Sequence, residues 1–450
     1  MGIVHSRIQH GVGQGSFHSA SVETSPGAAG PRYRFDYVYD CGAMAGPNPS
    51  KALEKAINRL GLEQRKGSSG PGVLDMLVLS HFDSDHLNGA QLLCSKFTVR
   101  RIFVPYLRPD MLSLVVASLA ERITDSHIRA LHQLAHGEGT LWDTPVTMVR
   151  SGDDTPPRRE IYEPDEPGEP RHPDDESQIP PLADLVLGST GQRPATEMAD
   201  VDTVLTEFGS ISHIWKFKFW NREADQGLLD EIKRKLDACG FPRADLQDPA
   251  GAAAAAKWLR SGVNRDNTVA AYRKAIASYK PAWGHEATQK GIANLLSLAM
   301  YSGPAFYASK PLYRSRYHIT NIYAHDWWPY ETRALTGWLG TGDAPLGEPE
   351  VWDDFQAHYL VELPNVSTYV VPHHGAAPSG GPRYYNAKLN HTAGVASVIS
   401  YGSKNTYGHP RFTVLTHIQA THGHIVEVTE ECRNGFQEIL LLNTAHQMAT

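Results

Sequence analysis

Two observations in the sequence predict an α/β fold for this chain of 450 residues. Hydrophobic residues make up 41% of the sequence and charged residues 20%, which is enough apolar material for a sizeable core. Short apolar segments alternate with segments of helical spacing along the first third of the chain, and this alternation is typical of α/β proteins. The length exceeds that of one average domain, so we expect an additional substructure.

Residues 1–120 are predicted to form the first part of the main domain. Glycine-rich turns separate its apolar segments, as expected where strands and helices follow one another. The expected strands are 33–39, 73–80 and 101–106, and the expected helices are 50–60, 87–94 and 113–120. The last of these is the longest apolar run, and it is well short of the roughly 18 residues that would span a membrane.

Residues 121–290 are predicted to be an insertion over or beside the functional cleft. Within it, residues 151–180 carry ten acidic residues, three basic residues and seven prolines, a composition that predicts a disordered loop. Helical spacing resumes at 227–236, 252–259 and 268–279. The segment 215–220 alternates aromatic residues with lysines, which favours a strand with one apolar face but also fits a surface that stacks nucleobases. The sequence leaves open whether this insertion gates the cleft or binds a protein partner.

Residues 291–450 are predicted to complete the main domain, with late strands at 425–430 and 436–442. The four cysteines are scattered without a Cys-x-x-Cys pair, which argues against a disulfide framework and against a cysteine-based zinc site. The start of the sequence lacks a basic segment followed by an apolar one, so we expect a cytoplasmic protein without a membrane partner.

The strongest chemical signal is the hexapeptide His81-Phe-Asp-Ser-Asp-His86, directly after a predicted strand. Two imidazoles and two carboxylates placed together at a strand end would repel and bury charge unless a cation neutralised them. The alternative is that Asp83 or Asp85 only caps the following helix. Capping needs one acid, so the motif favours a metal site.

Three later motifs also present polar side chains at predicted strand ends or in a glycine-rich loop. They are Gly340-Thr-Gly-Asp343, Pro372-His-His-Gly375 and the loop Ser400–Pro410, which presents Lys404, Asn405, Tyr407 and His409. Each alone also fits an ordinary turn or a packing histidine. Their order along the chain is more informative than any one of them.

This order of motifs resembles the metallo-β-lactamase superfamily, and most closely its branch with the soluble hydrolase domain of the competence protein ComEC. The shared features are a Val-Gly-Gln-Gly start (Val12–Gly15), Asp40-Cys-Gly, His-x-Asp-x-Asp-His, Asn294 with Ser297, Gly-Asp, Pro-His-His-Gly and a Tyr-Gly-His-Pro ending. The resemblance covers about 1–110 and 290–450. It implies a four-layer αββα sandwich, interrupted here by a mostly helical insertion.

The resemblance also implies a set of metal ligands. His81 and Asp83 would hold a first cation and Asp85, His86 and His374 a second, with Asp343 bridging both. The remaining motif residues would orient ligands or contact the substrate; these are Asp40, Asn294, Ser297, His373, Lys404, Asn405 and Tyr407. Two departures from the family are that Asp83 replaces a histidine and that a further family histidine has no counterpart. The added oxygen ligand shifts the preference toward Mn²⁺ or Mg²⁺, with zinc still open.

The function that the resemblance implies is a metal-dependent phosphodiesterase or nuclease with a metal-activated water as the nucleophile. Asp85 is expected to orient that water, and His409 to contact the substrate or to protonate the leaving oxygen. The net charge of −7 lacks the basic stripe of proteins that hold nucleic acid by charge alone, so we expect modest affinity. A hydrolase of a small ester, lactone or nucleotide messenger remains an alternative, as does a partner-dependent effector module.

Overall fold

The computed structural model describes residues 2–25, 34–44, 49–64, 72–152, 196–199, 203–208, 211–222, 225–243, 246, 248, 251–279, 296–305, 313–318, 335–376, 395–421, 423–432 and 434–443. These residues form a mixed α/β protein, as predicted. No helix within these ranges combines the length and the apolarity that a bilayer crossing requires. The predicted disordered loop, from residue 153 onward, and Asn294 lie outside the described residues.

The strands follow one another along the whole described chain. They are β1 (Gly2–Gln9), β2 (Phe17–Ser25), β3 (Arg34–Cys41), β4 (Gly72–Leu74), β5 (Met76–Val78), β6 (Phe97–Val99), β7 (Ile102–Pro105), β8 (Thr140–Leu141), β9 (Thr144–Arg150), β10 (Thr196–Ala199), β11 (Thr203–Phe208), β12 (Ile211–Trp220), β13 (Ala299–Pro304), β14 (Tyr313–His318), β15 (Gly337–Gly340), β16 (Val366–Val370), β17 (Ala396–Ser400), β18 (His424–Val428) and β19 (Phe436–Asn443).

The helices lie mainly between strands of the first half and in the middle of the chain. They are α1 (Lys51–Gln64), α2 (Ser84–Leu87), α3 (Ala90–Lys96), α4 (Pro109–Ser118), α5 (Asp125–Ala135), α6 (Gln226–Ala238), α7 (Gly251–Arg260), α8 (Gly262–Ser278), α9 (Pro349–His358) and α10 (Phe412–Ala420). The side chains of Thr124 and Asp225 accept hydrogen bonds from the backbone N–H of His127 and Leu228, and so cap α5 and α6.

The strands form two large sheets and one short pair. The first sheet has the order β10-β9-β7-β5-β3-β2-β1-β19-β14, with β8 added to β9; the second has the order β11-β12-β13-β15-β16-β17-β18. Strand β4 pairs with β6. In the first sheet β3, β5, β7 and β9 are parallel, and in the second β15 to β18 are parallel. The carboxyl ends of each parallel block therefore meet along one edge, where functional sites in α/β sheets usually lie.

The two large sheets share an apolar core. Tyr37 and Phe103 of the first sheet contact Phe217 and Phe219 of the second, with ring centroids 5.0 and 5.2 Å apart. The outer face of the first sheet packs in one cluster with α1, α3 and α4 to α8, and that of the second packs with α9 and α10. Burial of both faces of each sheet explains the continuous apolar runs of their parallel strands.

Strand β12 confirms the prediction of one apolar and one lysine face for 215–220. Trp215, Phe217 and Phe219 are buried in the core, while Lys216 and Lys218 both form ion pairs with Glu362, at 2.7 and 3.4 Å. Its aromatic rings are therefore not available to nucleobases. The alternative interpretation of this segment as a stacking surface is wrong.

A polar cluster, here called the inter-sheet cluster, also lies between the two sheets; it comprises His5, Arg7, Gln9, His18 and Glu438, all buried. Arg7 forms an ion pair with Glu438 and donates a further hydrogen bond to Ser367 Oγ (2.7 Å). The ring of His18 stacks on Trp338 with centroids 4.1 Å apart. The single buried acid of the cluster is thus matched by a single buried guanidinium.

Two predicted elements are interrupted. The strand predicted at 73–80 divides into β4 and β5 because Asp75 turns inward, accepts a hydrogen bond from Asp36 N (2.8 Å) and pairs with Arg100. The helix predicted at 87–94 divides into α2 and α3. At the break, Gly89 N donates to Cys41 O (2.8 Å), and a Cβ on Gly89 would lie 2.9 Å from the same oxygen.

The segment 121–290, predicted as an insertion, supplies strands to both large sheets. Strands β9 and β10 extend the first sheet, and β11 and β12 extend the second. The predicted helices of this segment are present as α6, α7 and α8, which pack on α4 and α5. Of its described residues, those that lie outside the sheets are mainly helical, and the boundaries 121–290 of an insertion stay a prediction.

Candidate metal centre

The polar motifs meet where parallel strands end. His81 and Asp83 follow β5, Asp85 and His86 lie in α2, and Asp343 follows β15. His374 follows β16, the parallel neighbour of β15, so chain segments separated by almost 300 residues converge on one buried cluster. We call this group of six residues the metal cluster.

The metal cluster contains two groups of three buried residues. The first comprises His81, His86 and Asp343, and the second comprises Asp85, His86 and His374; the candidate ligand atoms of each group lie within 4.8 Å of one another. His86 Nε2 is 3.2 Å from Asp343 Oδ1, and His81 Nε2 is 3.6 Å from Asp343 Oδ2. His374 Nε2 lies 3.3 Å from Asp85 Oδ2. His86, expected at one cation position, belongs to both groups.

Asp83 lies at the edge of the metal cluster. Its Oδ2 is 3.9 Å from His81 Nε2, and its side chain is 32% exposed, whereas the other five members are buried. It precedes α2, but its side chain makes no capping hydrogen bond with the helix. A purely capping role for Asp83 is therefore wrong.

Three buried atoms of the cluster have no hydrogen-bond partner within the described part of the chain. They are His81 Nε2, His86 Nε2 and Asp343 Oδ1. Burial of polar atoms without a partner costs about 1–3 kcal/mol each, and a bound ion is one of the features that can offset this cost. Imidazole nitrogens and carboxylate oxygens suit zinc and manganese, so the residues present fit a divalent cation.

The outer nitrogen of each histidine is held by a neighbouring group. Asp40 Oδ2 accepts from His86 Nδ1 (2.8 Å), the oxygen of Ser80 is 3.0 Å from His81 Nδ1, and Ser400 O accepts from His374 Nδ1 (2.7 Å). With Nδ1 donating outward, each Nε2 can present its lone pair to the centre of the cluster. Asp40 therefore fixes the ring of His86, and the role of His86 as a metal ligand stays a prediction.

Ser80 is a member of the site that the sequence did not single out. Its backbone N–H donates to Asp40 Oδ1 (2.7 Å) and its hydroxyl donates to Asp40 Oδ2 (2.9 Å). It thereby fixes Asp40 and accepts from His81 at the same time. Its position immediately before His81 at the end of an apolar strand was the available signal.

Ser297 supports the Asp343 backbone, because its Oγ accepts from Asp343 N at 2.8 Å. Gly342, which precedes Asp343, has φ +52°, and a Cβ there would lie 2.3 Å from Ser297 Oγ. Only glycine fits this close approach at a left-handed position. The Gly-Asp motif thus has a steric reason as well as a chemical one.

Left-handed backbone concentrates at this site. Of the five non-glycine residues with positive φ in the described chain, three are Asp40 (59°), His373 (50°) and His374 (53°). Such positions cost about 1–3 kcal/mol each and persist where the surroundings impose them, often at functional sites. His373 is the more exposed of the two adjacent histidines, and its Nε2 lies 3.7 Å from Asp343 Oδ2.

The charges of the cluster shift its pKa values in opposite directions. Burial and the neighbouring carboxylates of Asp85 and Asp343 raise the pKa of Asp83 to about 8. Burial and His86 lower the pKa of His81 to about 4. Asp40 and Asp343 outweigh burial and raise the pKa of His86. A bound cation would offset the repulsion between carboxylates that lie this close together.

The Val12–Gly15 turn packs beneath the cluster. The backbone N–H of Ser16, the next residue, donates to Asp85 O (3.0 Å), and Gly15 O accepts from Ser400 Oγ (2.9 Å). A Cβ on Gly15 would lie 2.8 Å from Asp85 O. The turn therefore connects the Asp85 side of the cluster to the His374 side.

The Ser400–Pro410 loop brings His409 and Tyr407 toward the cluster. The ring of His409 lies 5.5 Å from that of His373, and burial together with His373 lowers the pKa of His409 to about 4. Asn405 instead binds the loop backbone, at Gly402 O and His409 O. Lys404 is exposed near Glu430, so the loop does not bring Lys404 or Asn405 into the cluster.

Tyr407 has partners that the sequence did not indicate. Its hydroxyl accepts from Arg122 Nη2 (2.6 Å) and lies 3.0 Å from Met44 Sδ. Arg122 is 285 residues away in sequence, so no local pattern could have shown this contact.

No protein-family model matches the chain, and no curated protein matches it at a significant level.

Proposed function

We propose that this protein is a metal-dependent hydrolase of the metallo-β-lactamase superfamily that cleaves phosphodiester bonds in nucleic acid. The motif order supports the family, and two sheets with a common core and helices on both outer faces agree with an αββα sandwich. A cytoplasmic location and a protein partner for 121–290 stay predictions.

The observation that carries the proposal is the convergence of three imidazole Nε2 atoms and two carboxylates in one buried cluster. In this proposal His81, His86 and Asp343 hold one divalent cation, and Asp85, His86 and His374 hold the other or share the first. The mixed nitrogen and oxygen donors favour Mn²⁺ or Zn²⁺, and Mg²⁺ also fits the carboxylates. Asp83 is the most exposed member of the cluster, 3.9 Å from His81 Nε2.

When bound, such cations supply Lewis acidity, which acidifies a water molecule and withdraws charge from a phosphoryl oxygen. The neighbouring residues of the chain orient the proposed ligands. Asp40 and Ser80 keep the two imidazoles of His81 and His86 oriented, and Ser297 fixes Asp343. His409, neutral because its pKa is low, suits hydrogen bonding to the substrate better than proton donation to the leaving oxygen.

The test measures nucleotide release from single-stranded DNA, double-stranded DNA and RNA with Mn²⁺, Mg²⁺ or Zn²⁺. Asp343→Ala removes a carboxylate central to the cluster, so we expect at least about a 10³-fold loss of activity and weaker metal binding. Asp353→Ala in α9 is the matched control, because Asp353 is exposed on the outer side of the second sheet, and it should cleave normally.

Three outcomes separate the alternatives. Loss in Asp343→Ala alone supports the proposal and identifies the metal. Equal cleavage by wild type and Asp343→Ala would show a contaminating nuclease and refute the nuclease proposal. Absence of cleavage by wild type would direct attention to small esters, lactones and nucleotide messengers, and then to a partner required for activity.

A further inference from the structure

A small cavity lies beside the inter-sheet cluster, between the two large sheets. Its volume is about 10 Å³. Its wall includes Arg7, Gln9 and His18 of the first sheet and Trp338 and Thr368 of the second. Each of these five residues is at most 2% exposed, so this part of the wall lies away from bulk solvent.

Three buried polar atoms of the wall residues have no hydrogen-bond partner among the residues that the structure describes. They are both ring nitrogens of His18 and Oε1 of Gln9. The amide nitrogen of Gln9 is engaged, because it donates to Phe17 O at 3.3 Å. The His18 ring stacks on Trp338, and this contact of ring faces does not satisfy the nitrogens at the ring edge. Buried polar atoms are usually hydrogen-bonded, so these three indicate a partner in the cavity.

The charges around the cavity favour a neutral occupant. Arg7 pairs with Glu438, whose carboxylate also accepts from Thr368 Oγ1 at 2.7 Å. A cation in the cavity would face Arg7, and an anion would face Glu438. Burial and Arg7 lower the pKa of His18, so its imidazole is neutral, with one N–H donor and one acceptor nitrogen.

The size and the polar groups of the cavity match one water molecule. A cavity must offer roughly 10–15 Å³ to hold a water, which in turn needs two to four polar partners. Gln9 and His18 are directly opposite each other in the register of β1 and β2. Side chains of such a pair lie on the same face of the sheet with Cβ atoms about 5 Å apart, so one water can contact both.

We infer that the cavity binds one ordered water molecule, which connects a ring nitrogen of His18 to Oε1 of Gln9. Water both donates and accepts, so it can donate to Gln9 Oε1 whichever ring nitrogen of His18 carries the proton. Buried waters of this kind are part of the fold and are costly to remove. The inference concerns the inter-sheet cluster and does not depend on the proposed function.

The first test counts long-lived internal waters by magnetic relaxation dispersion of the solvent, in EDTA so that water on a bound cation does not contribute. His18→Phe keeps a ring that can stack on Trp338 but removes both nitrogens, so the count should fall by one. Met198→Leu is the matched control, because Met198 packs against the same apolar core and is not part of the cavity wall. It should keep the count of the wild type.

A crystal structure of the wild type tests the site even if His18→Phe does not fold. We expect a single density peak at about 2.7–3.2 Å from a ring nitrogen of His18 and from Gln9 Oε1. Well-ordered wall residues without such a peak would overturn the inference, as would an unchanged count in folded His18→Phe. A peak too strong for an oxygen atom would show an ion and would contradict the neutral occupant.

Discussion

The inter-sheet cluster and the metal cluster are both buried and rich in histidine, but their charges differ. The inter-sheet cluster has one acid matched by Arg7, and burial lowers the pKa of His5 and His18, so they are neutral. In the metal cluster, carboxylates crowd together and raise the pKa of His86 and His374 despite burial. One region is balanced by its own ion pair, whereas the other crowds carboxylates whose repulsion the proposed cation would offset.

The two clusters differ in the feature that would identify a metal site. Buried nitrogens without a partner occur in both regions, since both ring nitrogens of His18 lack one among the described residues. Only in the metal cluster do such nitrogens converge with carboxylates within 4.8 Å of one another, as far as the structure describes the chain. Convergence, and not the unpaired atom alone, is therefore the diagnostic feature.

The largest change in stability is expected when Arg7 of the inter-sheet cluster is replaced. Arg7→Met leaves Glu438 buried without its counter-ion, so the free energy of unfolding should fall by about 3–5 kcal/mol, measured by urea denaturation. Metal content per molecule should stay unchanged. The double variant Arg7→Met, Glu438→Leu should recover much of the loss, and a single variant as stable as wild type would show that this pair does not balance the cluster.

A smaller loss of stability is expected at acidic pH, through His10. Burial lowers the pKa of His10 to about 3, so the unfolded chain binds a proton that the folded one excludes. Its contribution to stability is complete above pH 6.5 and is lost at about 1.4 kcal/mol per pH unit as pH falls toward 3.

His10→Gln can still pair with Ser19 Oγ, the hydroxyl 2.8 Å from His10, and should remove that part of the pH slope. Unfolding free energies measured at pH 7.5, 6.0 and 5.0 test the prediction. An unchanged slope in the variant would assign the acid sensitivity to other groups.

The smallest effect concerns Asp83 in metal-free protein. Its pKa is raised to about 8, so the folded state disfavours the charge, and stability decreases as pH rises from about 4 to 8. Because the side chain is 32% exposed, we expect Asp83→Asn to gain only about 1 kcal/mol in EDTA at pH 8.5. In thermal unfolding, Asp83→Asn should melt above the wild type in EDTA and below it in saturating Mn²⁺. A variant that is less stable than the wild type in EDTA would contradict the repulsion.

The sequence predicted those site residues that directly follow an apolar strand. His81, Asp85, His86 and His374 stand beside apolar strands, and parallel strands end at a common edge, so their convergence could be expected. Contacts set by packing could not be read locally. The division of the helix at Gly89 depends on Cys41 O, and the place of Arg122 depends on Tyr407.

The turn that holds Asp85 O and Ser400 Oγ has a consequence for biosynthesis. His374 is fixed only when Ser400 is present, and β1, which leads into the turn, lies between β2 and β19. A nascent chain that has reached α8 already contains His81 and His86, yet it lacks Asp343, His374 and β19, one of the two partner strands of β1. The cluster is therefore complete only late in translation, so a partly made chain lacks the full set of residues proposed to hold a cation.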